Sequence, residues 1–139
     1  MENQEKYNNL TKLVEKLRKS EDPKRKYEYI LLLGKKLKKA DNKILVEENK
    51  VKGCVSEVFV KAKIIDGRLY WEGYSDALIT KGLLAFLIGG LNELTPNEVI
   101  KIDRKFIEDT GLKSSLTPSR SNGFLNILLK MQSQANEFL

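Results

Sequence analysis

The stretch VKGCVSEV, residues 51–58, holds the only cysteine of a chain that contains no histidine. A thiol acts as nucleophile or metal ligand only as its thiolate, so the question is what stands near Cys54 to favour that form. One cysteine cannot close a disulfide within the chain. With no histidine there is also no Cys/His set to hold zinc, an iron–sulfur cluster or haem. Ser-His-Asp and Cys-His catalysis are excluded for the same reason, since neither nucleophile would have an imidazole base. Cys54 is then either apolar filling, the usual fate of a free cysteine, or chemically active with something other than histidine favouring its thiolate. Lys50 and Lys52 place positive charge beside the thiol, and neighbouring cations lower a thiol pKa.

The elements that must position this thiol follow from periodicity. Leu10, Leu13, Val14 and Leu17 recur at helical spacing and predict a helix ending near Ser20. The segment SEDPKRKYEYILLLGKKLKKA opens with cap residues and a proline, and places Tyr27, Ile30, Leu31 and Leu37 on one helical face. Its KKLKK run reads as the last turn, where cations suit the helix dipole. Residues 41–52 are charged and aperiodic, which predicts an exposed connection.

From Val58 the period changes to two, with Val58, Val60, Ala62 and Ile64 alternating against Phe59, Lys61 and Lys63. Asp66-Gly67 then supplies a two-residue hairpin turn. This register sets Ile64 opposite Leu69, Ala62 opposite Trp71 and Val60 opposite Gly73 on an apolar face, with Lys61 opposite Glu72 on the other. Extended backward, the same parity turns Cys54 and Ser56 toward the core, while Gly53 breaks the strand.

Ser75-Asp76 reads as the start of a helix over ALITKGLLAFLIGGL, apolar enough to be central. Thr95-Pro96-Asn97-Glu98 has capping-box spacing and predicts a short helix to about Ile102. A further short helix is expected to end at Gly111. Thr117-Pro118 starts the last helix, with Phe124, Ile127, Leu128 and Met131 as its buried stripe. Helix, helix, hairpin, then helices predicts an α+β fold: a small antiparallel sheet with helices packed on one face.

At 139 residues and 41% hydrophobic, the chain suits one domain over residues 1–139, and its 32% charged residues suit a soluble protein. No run is apolar and long enough to cross a bilayer. MENQEKYNNL resembles neither a secretion signal nor a transit peptide, so a cytoplasmic location is expected. The net charge of +6 is carried by residues 1–52, with 15 Lys+Arg against 9 Asp+Glu, whereas residues 53–139 hold 10 of each.

Four segments in fixed order carry a further signal: GCVSEV (residues 53–58), GYSDALITKGLLA (73–85), LTPNE (94–98) and LTPSRSNG (116–123). Together they resemble the SufE family of sulfur-acceptor proteins, whose fold is similar to that of IscU-type scaffolds. The resemblance implies that Cys54 takes persulfide sulfur from a SufS-type cysteine desulfurase and stimulates it. The sulfur then passes to a SufB or SufBCD-type scaffold complex for iron–sulfur cluster assembly. It further implies that Arg120, in the TPSR match, lies near the cysteine loop, and that Asp76, in the SDA match, supports it. The chain would be an accessory transpersulfidation subunit without a cofactor of its own, the pyridoxal phosphate (PLP) belonging to the desulfurase. A homodimer is compatible with this reading; nucleic acid and membrane are not among its partners.

Phe59, Val55 and Tyr74 depart from the residues common in the family, where tryptophan, glutamine and a smaller or acidic residue are usual. A rival reading makes the chain a basic adaptor that binds nucleic acid through residues 1–52, with Cys54 as core. Binding that weakened steeply with salt and survived Cys54→Ser would favour it.

Overall fold

The computed structural model describes residues 7–139. The start of the chain, residues 1–6, including most of the segment read above for a leader, lies outside the described residues. Helix α1, Asn8–Arg18, buries Leu10, Val14 and Leu17 as its spacing requires. Helix α2, Pro23–Lys35, starts at Asp22, whose carboxylate accepts from the Lys24 N–H at 3.0 Å. It is shorter than predicted. Leu37 and the lysines from 36 to 39 follow the helix instead of forming its last turn. Where α2 crosses the central helix, Gly34 and Gly82 meet: a Cβ on Gly34 would lie 2.9 Å from the Gly82 nitrogen. Only glycine permits that approach.

The connection after α2 is mostly exposed, as its composition predicted, but it is anchored. It forms two 3₁₀ turns, Asn42–Ile44 and Glu47–Asn49, and buries Ile44, Asn49 and Val51. Asn49 Nδ2 donates to the Ile44 carbonyl at 3.0 Å, satisfying a buried amide. Lys50 then bridges antiparallel to Phe59, and the Val51 N–H donates to the Val58 carbonyl at 2.8 Å.

Strands β1, Val58–Ile65, and β2, Arg68–Ser75, pair antiparallel in the predicted register, with Ile64 opposite Leu69, Ala62 opposite Trp71 and Lys61 opposite Glu72. Asp66 and Gly67 both take positive φ, 51° and 79°, as a type I′ turn demands. Val58, Val60, Ala62, Leu69 and Trp71 are buried on one face. Ile64 belongs to that face by parity but is 40% exposed, although its cross-strand partner Leu69 is fully buried.

The outer edges of this ribbon are occupied by groups that are not strands. On the β1 side, Gln134 Nε2 donates to the Val60 carbonyl at 2.7 Å and its Oε1 accepts from the Ala62 N–H at 2.8 Å. On the β2 side, the Leu69 N–H donates to the Leu94 carbonyl, the Glu93 N–H donates to the Leu69 carbonyl, and Asn92 Oδ1 accepts from the Trp71 N–H.

Helix α3, Leu78–Leu91, is central: Ile79, Leu83, Leu84, Phe86, Leu87, Ile88 and Leu91 are all buried. Such all-round burial fits a helix covered on several sides. Helix α4, Pro96–Ile100, carries the predicted capping box, with Thr95 and Glu98 bonding reciprocally at 3.2 and 2.9 Å. Helix α5, Phe106–Asp109, ends before Gly111, which adopts φ 70°. Helix α6, Pro118–Asn136, buries Phe124, Ile127, Leu128 and Met131. Residues from Leu10 to Ala135 contribute to one continuous apolar core. The architecture is α+β, as the order of elements predicted.

Candidate functional site

Residues 52–57 form a loop closed at its base by the Lys50 to Phe59 bridge and the Val51 to Val58 hydrogen bond. Cys54 is at its tip. The turn into the tip depends on Gly53, which has φ 80°, a conformation costly for other residues. Its carbonyl accepts from Asn126 Nδ2 at 3.1 Å. Nearer the base, Lys130 Nζ donates to the Glu48 carbonyl at 2.7 Å.

Cys54 is half-buried against helix α6. Its Sγ is 3.7 Å from the Gly123 carbonyl, a weak S–H donor contact, and a Cβ at position 123 would lie 3.4 Å from the sulfur. Val55, the next residue, is 87% exposed. The inward turn of residues 54 and 56 predicted from strand parity therefore holds in outline, although these residues form a bend and not a strand.

Asp76 does not cap α3; the cap position is Ala77, which has no side-chain cap. The Asp76 carboxylate instead accepts from the Glu57 N–H at 3.0 Å, and the Asp76 N–H donates to the Glu57 carbonyl at 3.3 Å. This pair fixes the far end of the cysteine loop. Ser75 takes part in the helix start, its Oγ accepting from the Ala77 N–H at 3.3 Å.

Arg120 is exposed on the first turn of α6, with its backbone N–H on Thr117 Oγ1 at 3.3 Å. It lines, together with Cys54, Ser56, Thr80, Thr117 and Ser119, a cavity of about 270 Å³. The structure thus brings Cys54 and Arg120 to one cavity and sets Asp76 at the loop's end. Burial pushes the Cys54 thiol above its ordinary pKa. The expected lowering by Lys50 and Lys52 is not seen, because desolvation governs the thiol. No group of three or more potential metal ligands lies together among the described residues.

Asn126, Gly123 and Thr80 were missed by reading the sequence. Gly123, Asn126 and Lys130 recur at helical spacing along α6 and all meet the segment around Cys54. That second stripe was visible as a pattern, but its polar composition reads as solvent-facing.

Fold and site together define an α+β protein that presents one shielded thiol on a tethered loop. The chain belongs to the SufE family: residues 11–135 match the family model described as the Fe-S metabolism associated domain. It is 49% identical over 130 residues to an uncharacterized SufE-like protein of Synechocystis, covering 94% of this chain and 82% of that one. It is 41% identical over 127 residues to SufE-like protein 1, chloroplastic/mitochondrial, of Arabidopsis thaliana, covering 91% of this chain but 34% of the relative. The cysteine desulfuration protein SufE of Plasmodium falciparum is 36% identical over 115 residues, which are 79% of this chain and 46% of that protein. The solution structure of a hypothetical protein from Thermus thermophilus matches with a TM-score of 0.80 over 93% of this chain and 94% of that one. At 23% identity that likeness concerns the fold. No described helix is long and apolar enough to cross a membrane.

Proposed function

We propose that this chain is a sulfur acceptor and carrier working with a cysteine desulfurase. The observation that carries the reading is the placement of the chain's only thiol: at the tip of a loop tethered at both ends, half-shielded, and opening on a cavity that also holds Arg120. The family membership and the naming of relatives for cysteine desulfuration support it.

In the proposed reaction the Cys54 thiolate attacks the terminal sulfur of a persulfide on the partner. The donor S–S bond breaks, a new S–S bond forms on Cys54, and the partner's thiolate leaves with the bonding pair. The Cys54 proton is lost to solvent and the departing thiolate regains one. The sulfane sulfur changes hands without net oxidation. Neither histidine nor metal is required, which suits this composition. The desulfurase, of SufS type, would carry the PLP and make the persulfide, and a SufB-type scaffold would receive the sulfur for cluster assembly.

Arg120 would offset the negative charge of the incoming sulfur, and Asp76 would hold the loop through Glu57. The exposed apolar side chains Val55 and Leu78, 87% and 73% accessible, flank Cys54 and Asp76 in sequence and offer the desulfurase a contact surface. The test is the intact mass of the protein after incubation with a cysteine desulfurase and cysteine. Gain of one sulfur atom, removed by reductant and absent in Cys54→Ser, is expected. An unchanged mass with an active desulfurase would reject the reading.

A further inference from the structure

The cavity beside Cys54 contains a pair of facing hydroxyls that the proposed transfer has not used. Ser56 Oγ, from the cysteine loop, and Thr80 Oγ1, from α3, are 3.3 Å apart and both residues line the cavity. Thr80 is only 6% exposed. Two hydroxyls carry two O–H hydrogens but use only one in bonding to each other. One donor is left over whichever way the bond runs, and neither side chain has another hydrogen-bond partner among the described residues. A shielded donor without a partner costs stability unless something occupies it.

A persulfide on Cys54 would supply that partner. Its terminal sulfur stands about 2 Å beyond Sγ, and the cavity of about 270 Å³ has room for it. That sulfur is anionic when it is to be passed on, and an anion moved out of water needs donors in place of its hydration. The charged groups next to the lining segments along the chain are Lys50, Lys52 and Glu57 on the loop and its base, Asp76 before α3, Lys81 on α3 and Arg120 on α6. Of these, only Arg120 lines the cavity.

We infer that the Ser56 and Thr80 hydroxyls hold the terminal sulfur of the Cys54 persulfide by hydrogen bonding, with Arg120, which lines the same cavity, supplying charge. This rests on the sulfur-acceptor reading, and it assigns contact with the transferred atom to two further residues. Before loading, the two hydroxyls bond each other; after loading, both turn their O–H hydrogens to the sulfur, so that removing either one removes a bond to it.

The test loads the full-length protein with inorganic polysulfide, so that no desulfurase is needed. Polysulfide gives one sulfane sulfur to Cys54 and leaves one sulfur shorter. Alkylation of the loaded species by iodoacetamide is then followed by mass across pH, for the wild type, Ser56→Ala, Thr80→Val and Thr80→Ser. Loss of a hydroxyl is expected to raise the midpoint of the persulfide profile by about one pH unit, because a hydrogen bond to a charged group is worth that much. Thr80→Ser should restore the wild-type midpoint. The unloaded thiol, whose sulfur faces the Gly123 carbonyl, should keep its profile in all variants. Equal persulfide midpoints in folded wild type and Thr80→Val would overturn the inference. So would equal shifts of thiol and persulfide, which would mark the hydroxyls as ties between loop and helix only. If polysulfide loading shows the shift but a desulfurase never loads the wild type, the acceptor reading falls while the hydroxyl assignment stands.

Discussion

Asn126 Nδ2 donates to the Gly53 carbonyl at 3.1 Å, and the same amide fills the space that a side chain at position 53 would need. Loop and helix are thereby fitted to each other at the residue before the thiol. Asn126→Ala should lower stability by about 1 kcal/mol, the worth of one such hydrogen bond, and speed alkylation of Cys54. Unaltered reactivity in that variant, measured with iodoacetamide at fixed pH, would show that the loop is held elsewhere.

Burial raises the Cys54 thiol pKa, which fixes the sign of one pH effect. The unfolded chain gives up this proton first, so between the two pKa values it binds fewer protons than the folded chain. The thiol's contribution is fully present below the ordinary thiol range and is lost as pH rises through the raised folded value. Tyr7 and Tyr29 are raised as well, mainly by burial, and add their own loss at higher pH. The informative quantity is therefore the difference between wild type and Cys54→Ala. Wild type should lose stability relative to the variant from about pH 8.5 upward, as read from urea midpoints.

Gly123 separates packing from shielding. An alanine there puts a methyl 3.4 Å from the Cys54 sulfur, a tight contact, while it also removes a glycine from the interior of α6. Alanine in a helix interior is favoured over glycine by about 1 kcal/mol. Gly123→Ala should melt no lower than wild type yet alkylate faster, because the loop gives way and the sulfur moves outward. A variant that melts higher with slower alkylation would mean that the pocket closes over the thiol.

Arg120 is exposed, and the capping bond at Thr117 uses its backbone N–H and not its side chain. Replacing it with alanine should therefore leave the melting temperature near wild type. Sulfur acceptance should fall on the order of tenfold, the effect of about one pKa unit of lost charge stabilisation. Parallel loss of stability and transfer would assign Arg120 to the fold.

The hairpin register was legible because two signals agreed: alternation in β1 and β2, and the Asp66-Gly67 turn between them. The capping box at Thr95 and the stripe of α6 were legible for the same reason, since local chemistry and burial point the same way. The anchoring of the connection after α2 was not. Its anchors are single residues, Ile44, Asn49 and Val51, and isolated burial leaves no period. Lys26 shows the limit from the other side: it sits in a run of charges but is buried, its Nζ donating to the Thr110 carbonyl at 2.9 Å. At the site, Cys54 stood out by composition and Asp76 and Arg120 by resemblance. Thr80 and Asn126 act through contacts between distant segments, and such contacts have no signature in either segment alone.

The ribbon of β1 and β2 is sealed along both sides by Val51 and Gln134 on one and by Asn92, Glu93 and Leu94 on the other. An unsealed two-stranded ribbon would offer its free backbone as a template for any extended chain. Here the Val58 and Val60 carbonyls and the Ala62 N–H on one side, and the Leu69 N–H and carbonyl and the Trp71 N–H on the other, are already taken. The protein is protected from adding copies of itself strand by strand, and a partner cannot dock by contributing a strand there either. Side chains are then what the fold has to offer a partner, and the tip of the cysteine loop, with Val55 turned outward beside a sheltered sulfur, presents them.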